Sequence, residues 1–355
     1  MHVGVLEATI ERIGTLDEGA MEAARERQGR LTKPPGSLGR LEALSVQVAG
    51  IQGRARPEVS KKVVFVAAGD HGVVAQGVSA YPQAVTVQMV ANFAAGGAAI
   101  NVLARQVGAR VVVVDMGVAG ETAQAARVVQ KKVAPGTGDI ACGHAMSRRQ
   151  ARETVQLGIE VFEEELGRGI ELAATGDMGI GNTTPSAAII ATFTGRFPAE
   201  VAGQGTGVDD AGLARKVAVV ERALSVNRPE AKYPLDVLGK VGGFEIGGLA
   251  GVILAAAANR VPVVIDGVIS GAAALVAAGL EPRAKEFMIA GHLSTEPGHR
   301  AALEHLGLEP VLDLGMRLGE GTGAALAMGI VEAAVRTLNE MATFEEAGVS
   351  GAEGE

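Results

Sequence analysis

The feature that most constrains this chain is an alternation. Five short runs rich in Val, Ile and Ala, each ending in glycine or a polar cluster, are separated by longer stretches of helical composition. The runs are KKVVFVAAGDHG (61–72), ARVVVVDMG (109–117), ELAATGDMGIGNTT (171–184), VPVVIDGVISG (261–271) and FMIAGHLST (287–295). Helical composition marks 84–107, 147–166, 208–226, 243–259 and 297–306. Strand, polar turn and helix in that succession build parallel sheets, whose strands are apolar along their whole length because helices cover both faces. The expectation is an α/β fold with an open, mostly parallel Rossmann-like sheet flanked by helices, and a smaller helical part from the two terminal segments. The boundaries that follow are a helical region over 1–60, an α/β core over 61–320, and a C-terminal helix with an acidic tail over 321–355. In open sheets of this kind ligands bind beyond the carboxyl ends of the strands. The polar clusters fall there.

The N-terminal region adds a helix over 16–30, an extended Pro34-Pro35 pair and Ser37 as the cap of a following helix. With 355 residues, 48% of them hydrophobic, the chain has enough apolar material for one large core. A net charge of -8 disfavours nucleic acid and anionic membrane surfaces as partners, since both select basic faces. A small molecule is the expected partner. The most apolar stretches are interrupted before spanning length, by Glu245, Asn259 and Asp266, so no membrane helix is expected. The opening MHVGVLEATIERIG lacks a basic segment followed by an apolar core, which predicts a cytoplasmic chain. One cysteine, Cys142, excludes an intrachain disulfide and reads as a small buried residue. The histidines in AGDHG (68–72) and AGHLSTEPGH (290–299) have no recognised zinc spacing, so neither a metal nor a cofactor is expected, and Asp70 and His71 read as loop-ordering residues.

Fifty glycines imply many tight turns and close backbone approaches. In RLGEGTGAAL (317–326), GEGTGA fits the dinucleotide pattern G-x-G-x-x-A, but the following helix runs into the tail and leaves no second strand to carry the ribose-binding acid. A phosphate loop is absent too, since Gly239-Lys240 is followed by Val241. What remains is Glu320 between two glycines with Arg317 upstream. It is either a base standing close to a ligand proton or a carboxylate stabilising a helix N-terminus. The loop TGDMGIGNTTPSAA (175–188) offers backbone donors around Gly179 and Gly181, with Asn182 and the hydroxyls of Thr183 and Thr184, to a phosphate or sugar. Its plain alternative is a turn capped by Asn182 or Thr184. GQGTG (203–207) repeats the donor pattern with Gly203 and Gly205, and Lys216 is either a phosphate partner or a solvated helix lysine.

Taken in order, KPPGSLGRLE (33–42), AGDHGV (68–73), YPQAVT (81–86), GDMGIGNTTP (176–185), KVGGFEIGG (240–248) and RLGEGTGAALAM (317–328) closely resemble the nicotinate-nucleotide:dimethylbenzimidazole phosphoribosyltransferase family over nearly the whole chain. The resemblance implies transfer of phosphoribose from nicotinate mononucleotide to 5,6-dimethylbenzimidazole, giving nicotinate and α-ribazole 5'-phosphate with inversion, in assembly of the cobalamin nucleotide loop. It implies a homodimer. It also places Glu320 as general base, the GDMGIGNTT loop, Gly203, Gly205 and Lys216 on ribose and phosphate, and Tyr81, Gln88, Arg317 and Leu318 beside the benzimidazole. Where relatives carry Glu in the GDMG loop this chain has Asp177, a second catalytic candidate one methylene shorter.

The chemistry agrees with the residues. A pyridinium leaving group departs as a neutral ring and needs no acid, whereas the attacking benzimidazole builds positive charge and must lose its remaining N–H proton. One carboxylate accepts that proton and offsets the charge. Inversion fits a single displacement. Two other classes remain open at this level: a nucleotide-dependent oxidoreductase, favoured by the glycine loops, and a non-catalytic nucleotide sensor on the same fold.

Overall fold

The computed structural model describes residues 4–125 and 127–350. Its centre is a six-stranded sheet of β1 (Lys62–Gly69), β2 (Ala109–Gly117), β3 (Val128–Gln130), β4 (Leu172–Met178), β5 (Val263–Ile265) and β6 (Met288–Ala290). The order is β3-β2-β1-β4-β5-β6 and every pairing is parallel. This is the doubly wound order, and the chain reverses its direction of winding between β1 and β4.

All eight residues of β1 are buried, and they divide by parity. Val63, Phe65 and Ala67 enter one core cluster while Val64, Val66 and Ala68 enter the other. Period-two alternation between two covered faces is why the run reads as continuously apolar. On the first face the helices Arg148–Leu166 and Phe244–Ala258 cross in close contact. A side chain at Gly158 would strike the carbonyl of Gly248, and one at Gly251 the carbonyl of Val155, so these glycines set the helix separation. On the other face lie helices Arg40–Gln52, Ala99–Gln106 and Thr322–Glu340. The last of these is tied to the N-terminal region: Arg27, in helix Glu18–Arg30, donates to the carbonyls of Leu338 (2.7 Å) and Met341 (3.0 Å).

Several expectations are corrected. The stretch 84–107 forms two helices, Ala84–Ala95 and Ala99–Gln106, because Gly96 takes a left-handed conformation (φ +82°) and ends the first. Its composition is apolar enough for a membrane span, but neither helix has the ~20 residues a span needs. Ser37 caps nothing; Gly39 precedes helix Arg40–Gln52 without a side-chain bond. The run 261–271 is strand only over β5 and turns into helix Val268–Leu280. Cys142 is exposed, and its thiol donates to Asp139 Oδ2 at 3.3 Å. Strand β3 was unforeseen, because three residues carry no readable period.

Candidate active site

At the carboxyl ends of β4, β5 and β6 lies a cavity of about 640 Å³. Its lining includes Tyr81, Asp177, Gly179, Asn182, Thr183, Gly205, Arg317, Leu318 and Glu320, together with Val85, Met89, His292, Ser294 and Glu296. The winding reversal between β1 and β4 brings the GDMG loop there, next to the turn that follows β1. A side chain at Gly179 would overlap the carbonyl of Gly69.

Glu320 is buried and sits at φ +63° between Gly319 (φ +82°) and Gly321 (φ +90°). A non-glycine residue in this region is strained, and such strain collects where a side chain must be aimed. The loop lies against β4: a Cβ at Gly176 would be 2.6 Å from the Glu320 carbonyl carbon and 2.7 Å from Gly321 N. The helix-stabilising reading of this acid is met mainly by a different residue. Asp266, at the end of β5, accepts from Gly321 N (3.1 Å) and Ala324 N (2.9 Å) at the start of helix Thr322–Glu340. Glu320 Oε2 accepts from Ile100 N (3.2 Å), so its carboxylate does stabilise a helix N-terminus, that of Ala99–Gln106 and not of its own helix. Burial raises the Glu320 pKa above the usual glutamate value, the Ile100 N–H opposes the rise, and the nearby Asp266 adds to it.

Asp177 has the more perturbed carboxyl. Burial, then the charge of Asp266, then those of Glu245 and Glu320 push it up to about 8, against a lowering bond from Asn182. At neutral pH it is a neutral acid. Its Oδ2 accepts from Asn182 Nδ2 at 2.9 Å, while Oδ1 has no partner. Asn182 is thereby spent on Asp177 and gives no side-chain cap to helix Thr183–Thr194.

A raised carboxyl pKa stabilises the fold fully below the ordinary aspartate range, and that contribution is lost as pH rises through the folded value. Asp177→Asn is therefore expected to differ least from the parent near pH 4, to gain on it as pH rises, and to exceed its Tm by ~2 °C or more at pH 9. Thermal melts at the two pH values check this.

Lys216 is fully buried, beneath the Gly203–Gly205 turn, and does not line the cavity. Its ammonium donates to Thr183 Oγ1 (2.7 Å) and to the Gly203 carbonyl (2.8 Å), and so joins the two glycine loops. The solvated-lysine alternative is wrong for this residue. Burial lowers its pKa to about 8, opposed by Glu296. Glu296 Oε1 accepts from Gly205 N at 2.8 Å, so a carboxylate already holds the backbone donor that sequence reasoning offered to a phosphate. Arg317 closes the same side, donating to the Gly205 carbonyl at 2.6 Å.

Gln88 is exposed and lies outside the lining; Val85 and Met89 are the residues of that helix that face the cavity. Gly181 (φ +87°) and Gly203 likewise shape their loops without lining it. Asp70 and His71 remain loop residues: Asp70 Oδ2 accepts from Ala119 N (2.8 Å), and His71 Nε2 pairs with the buried Glu245 Oε1 (2.8 Å). Sequence reasoning missed Asp266, Glu245 and His292. A lone acid directly after an apolar run, as in VVID, is the one signal that pointed to Asp266.

The cavity thus gathers five acids, Asp177, Glu296 and Glu320 in its lining and Glu245 and Asp266 just behind it, with a buried ammonium at one end. That polarity suits a ligand with a cationic centre and an anionic tail. A family model described as phosphoribosyltransferase matches residues 13–349. The chain belongs to that family. Its relatives include the nicotinate-nucleotide:dimethylbenzimidazole phosphoribosyltransferases of Desulforudis audaxviator, 64% identical over 98% of this chain and 99% of the relative, and of Roseiflexus castenholzii, 59% identical with the same coverage. The crystal structure of CobT from Thermus thermophilus superposes with a TM-score of 0.91 at 48% identity, covering 94% of this chain and all of that one. In this phosphoribosyltransferase the parallel sheet and its flanking helices are the expected ones.

Proposed function

We propose that this chain transfers phosphoribose from nicotinate mononucleotide to 5,6-dimethylbenzimidazole, releasing nicotinate and α-ribazole 5'-phosphate for the cobalamin nucleotide loop. The carrying observation is Glu320, held on a strained glycine loop in the cavity lining with its pKa raised. A raised pKa makes a carboxylate a stronger base, and the proton it must take is the benzimidazole N–H. Asp177, carrying its own proton, leaves Glu320 as the ionised acceptor. The remaining negative charge favours the positive charge that passes from the pyridinium through the ribose carbon to the benzimidazole ring. Thr183, Gly205 and the ammonium of Lys216 behind them form the end that takes the phosphate, with Glu296 yielding the Gly205 amide. Tyr81, Leu318, Val85 and Met89 offer the planar base an apolar bed. We propose a homodimer, as the family resemblance implies, and a cytoplasmic location.

Incubation with nicotinate mononucleotide and dimethylbenzimidazole, followed by mass spectrometry, is expected to yield α-ribazole phosphate and free nicotinate. Binding of the mononucleotide with no nicotinate released would instead make the chain a sensor.

Lys216→Met, similar in length and without charge, is expected to weaken mononucleotide binding at least ~10-fold and benzimidazole binding less than ~2-fold. In the parent, mononucleotide affinity should fall as pH rises past about 8, where the lysine loses its proton. Titration calorimetry from pH 7 to 9.5 checks both.

A further inference from the structure

We infer that Asp266 is a positioning residue for the catalytic base: it fixes the loop that aims Glu320 and holds a negative charge beside it. Gly321 N, in the peptide that follows Glu320, and Ala324 N, one turn on, both donate to Asp266, and each carboxylate oxygen accepts one of them. Burial raises the Asp266 pKa, His292 and the amides of Ala324, Gly321 and Gly323 oppose the rise, and acceptance at both oxygens is the arrangement of an ionised carboxyl. The residue is fully buried, and its third neighbour is His292, whose Nε2 lies 3.6 Å from Oδ1. His292 is wedged in turn against the helix start, where any side chain at Gly323 would strike its ring. Among the described residues, the Asp266 bonds are the hydrogen bonds that tie the end of three consecutive left-handed residues to the β5 side, and their loss loosens the backbone of Glu320 there.

The charged and titratable groups beside Glu320 or sharing its cavity are Asp177 on β4, Asp266 after β5, His292 and Glu296 after β6 and Arg317 on its own loop. Of these, Asp266 is the acid whose charge raises the Glu320 pKa. Its removal therefore lowers that pKa, and the base stays ionised to lower pH.

The inference rests on Glu320 as base, so Glu320→Gln is assayed in parallel. Asp266→Asn keeps the shape but turns an NH2 group toward one of the two amides. It is expected to lower kcat about 10- to 100-fold, as a small misplacement of a catalytic group does. The KM for the mononucleotide should change less than ~3-fold, and the acid limb of the pH profile should move to lower pH. Asp266→Glu, which keeps the charge and moves it, should lower kcat with the acid limb in place. Wild-type kcat and an unmoved acid limb in Asp266→Asn overturn the inference while leaving Glu320 intact. Full turnover in Glu320→Gln overturns the reading beneath it. If Asp266→Asn does not fold, Asp266→Glu carries the test, and wild-type kcat there overturns the inference. Failure of both to fold assigns Asp266 to stability alone and overturns it as well.

Discussion

Replacement of Glu320 by glutamine is expected to leave mononucleotide binding within about 2-fold of the parent while kcat falls about 10²- to 10⁴-fold, the usual contribution of a general base. The amide is nearly isosteric, so the Ile100 N–H can still be satisfied by its carbonyl oxygen. What is lost is proton acceptance. Because the Glu320 carboxyl is raised by burial, the parent should also lose activity on the acid side at a higher pH than an exposed glutamate would dictate. Single-turnover measurements across pH 4 to 8 separate this from a binding defect. Near-parental turnover in the glutamine variant removes Glu320 from the mechanism.

The second large effect is expected from a residue with no side chain of its own. Gly176→Ala adds one methyl on β4, directly under the peptide joining Glu320 to Gly321. The contact would be with backbone, which has no rotamer to change, so either the strand or the acid loop must move. A displacement of about 1 Å at a reacting group costs on the order of 10²-fold. The variant is expected to lose about that much kcat and several degrees of Tm, with overpacking of ~1 to 3 kcal/mol as the cause. Unchanged kcat with a lowered Tm would show that the loop absorbs the shift without re-aiming the acid.

The sheet was legible because β1, β2 and β4 are long, apolar and bounded by polar turns, and because parallel strands covered on both faces need no alternation. The three-residue strands β5 and β6 were found only as parts of longer runs, and β3 not at all. The GEGTG and GDMGIGNTT loops announced the cavity through residue type alone. Partnership was not legible. Asp266 lies far before Glu320 in sequence yet bonds the residue after it, and no local pattern encodes that contact. Lys216 was open between a phosphate partner and a solvated lysine because its helix carries charges on most of its other turns, and only the fold shows the glycine turn closing over it. Gln88 was placed by resemblance at a position where helical spacing turns the neighbours Val85 and Met89 inward instead.

One consequence follows from the left-handed backbone at position 320. Glycine there would relieve about 1 to 2 kcal/mol of conformational cost. A laboratory selection for heat resistance alone would accordingly drift toward glycine at that position and return sturdier proteins that no longer turn over. Screens of this chain for thermal hardiness need an activity gate at every round.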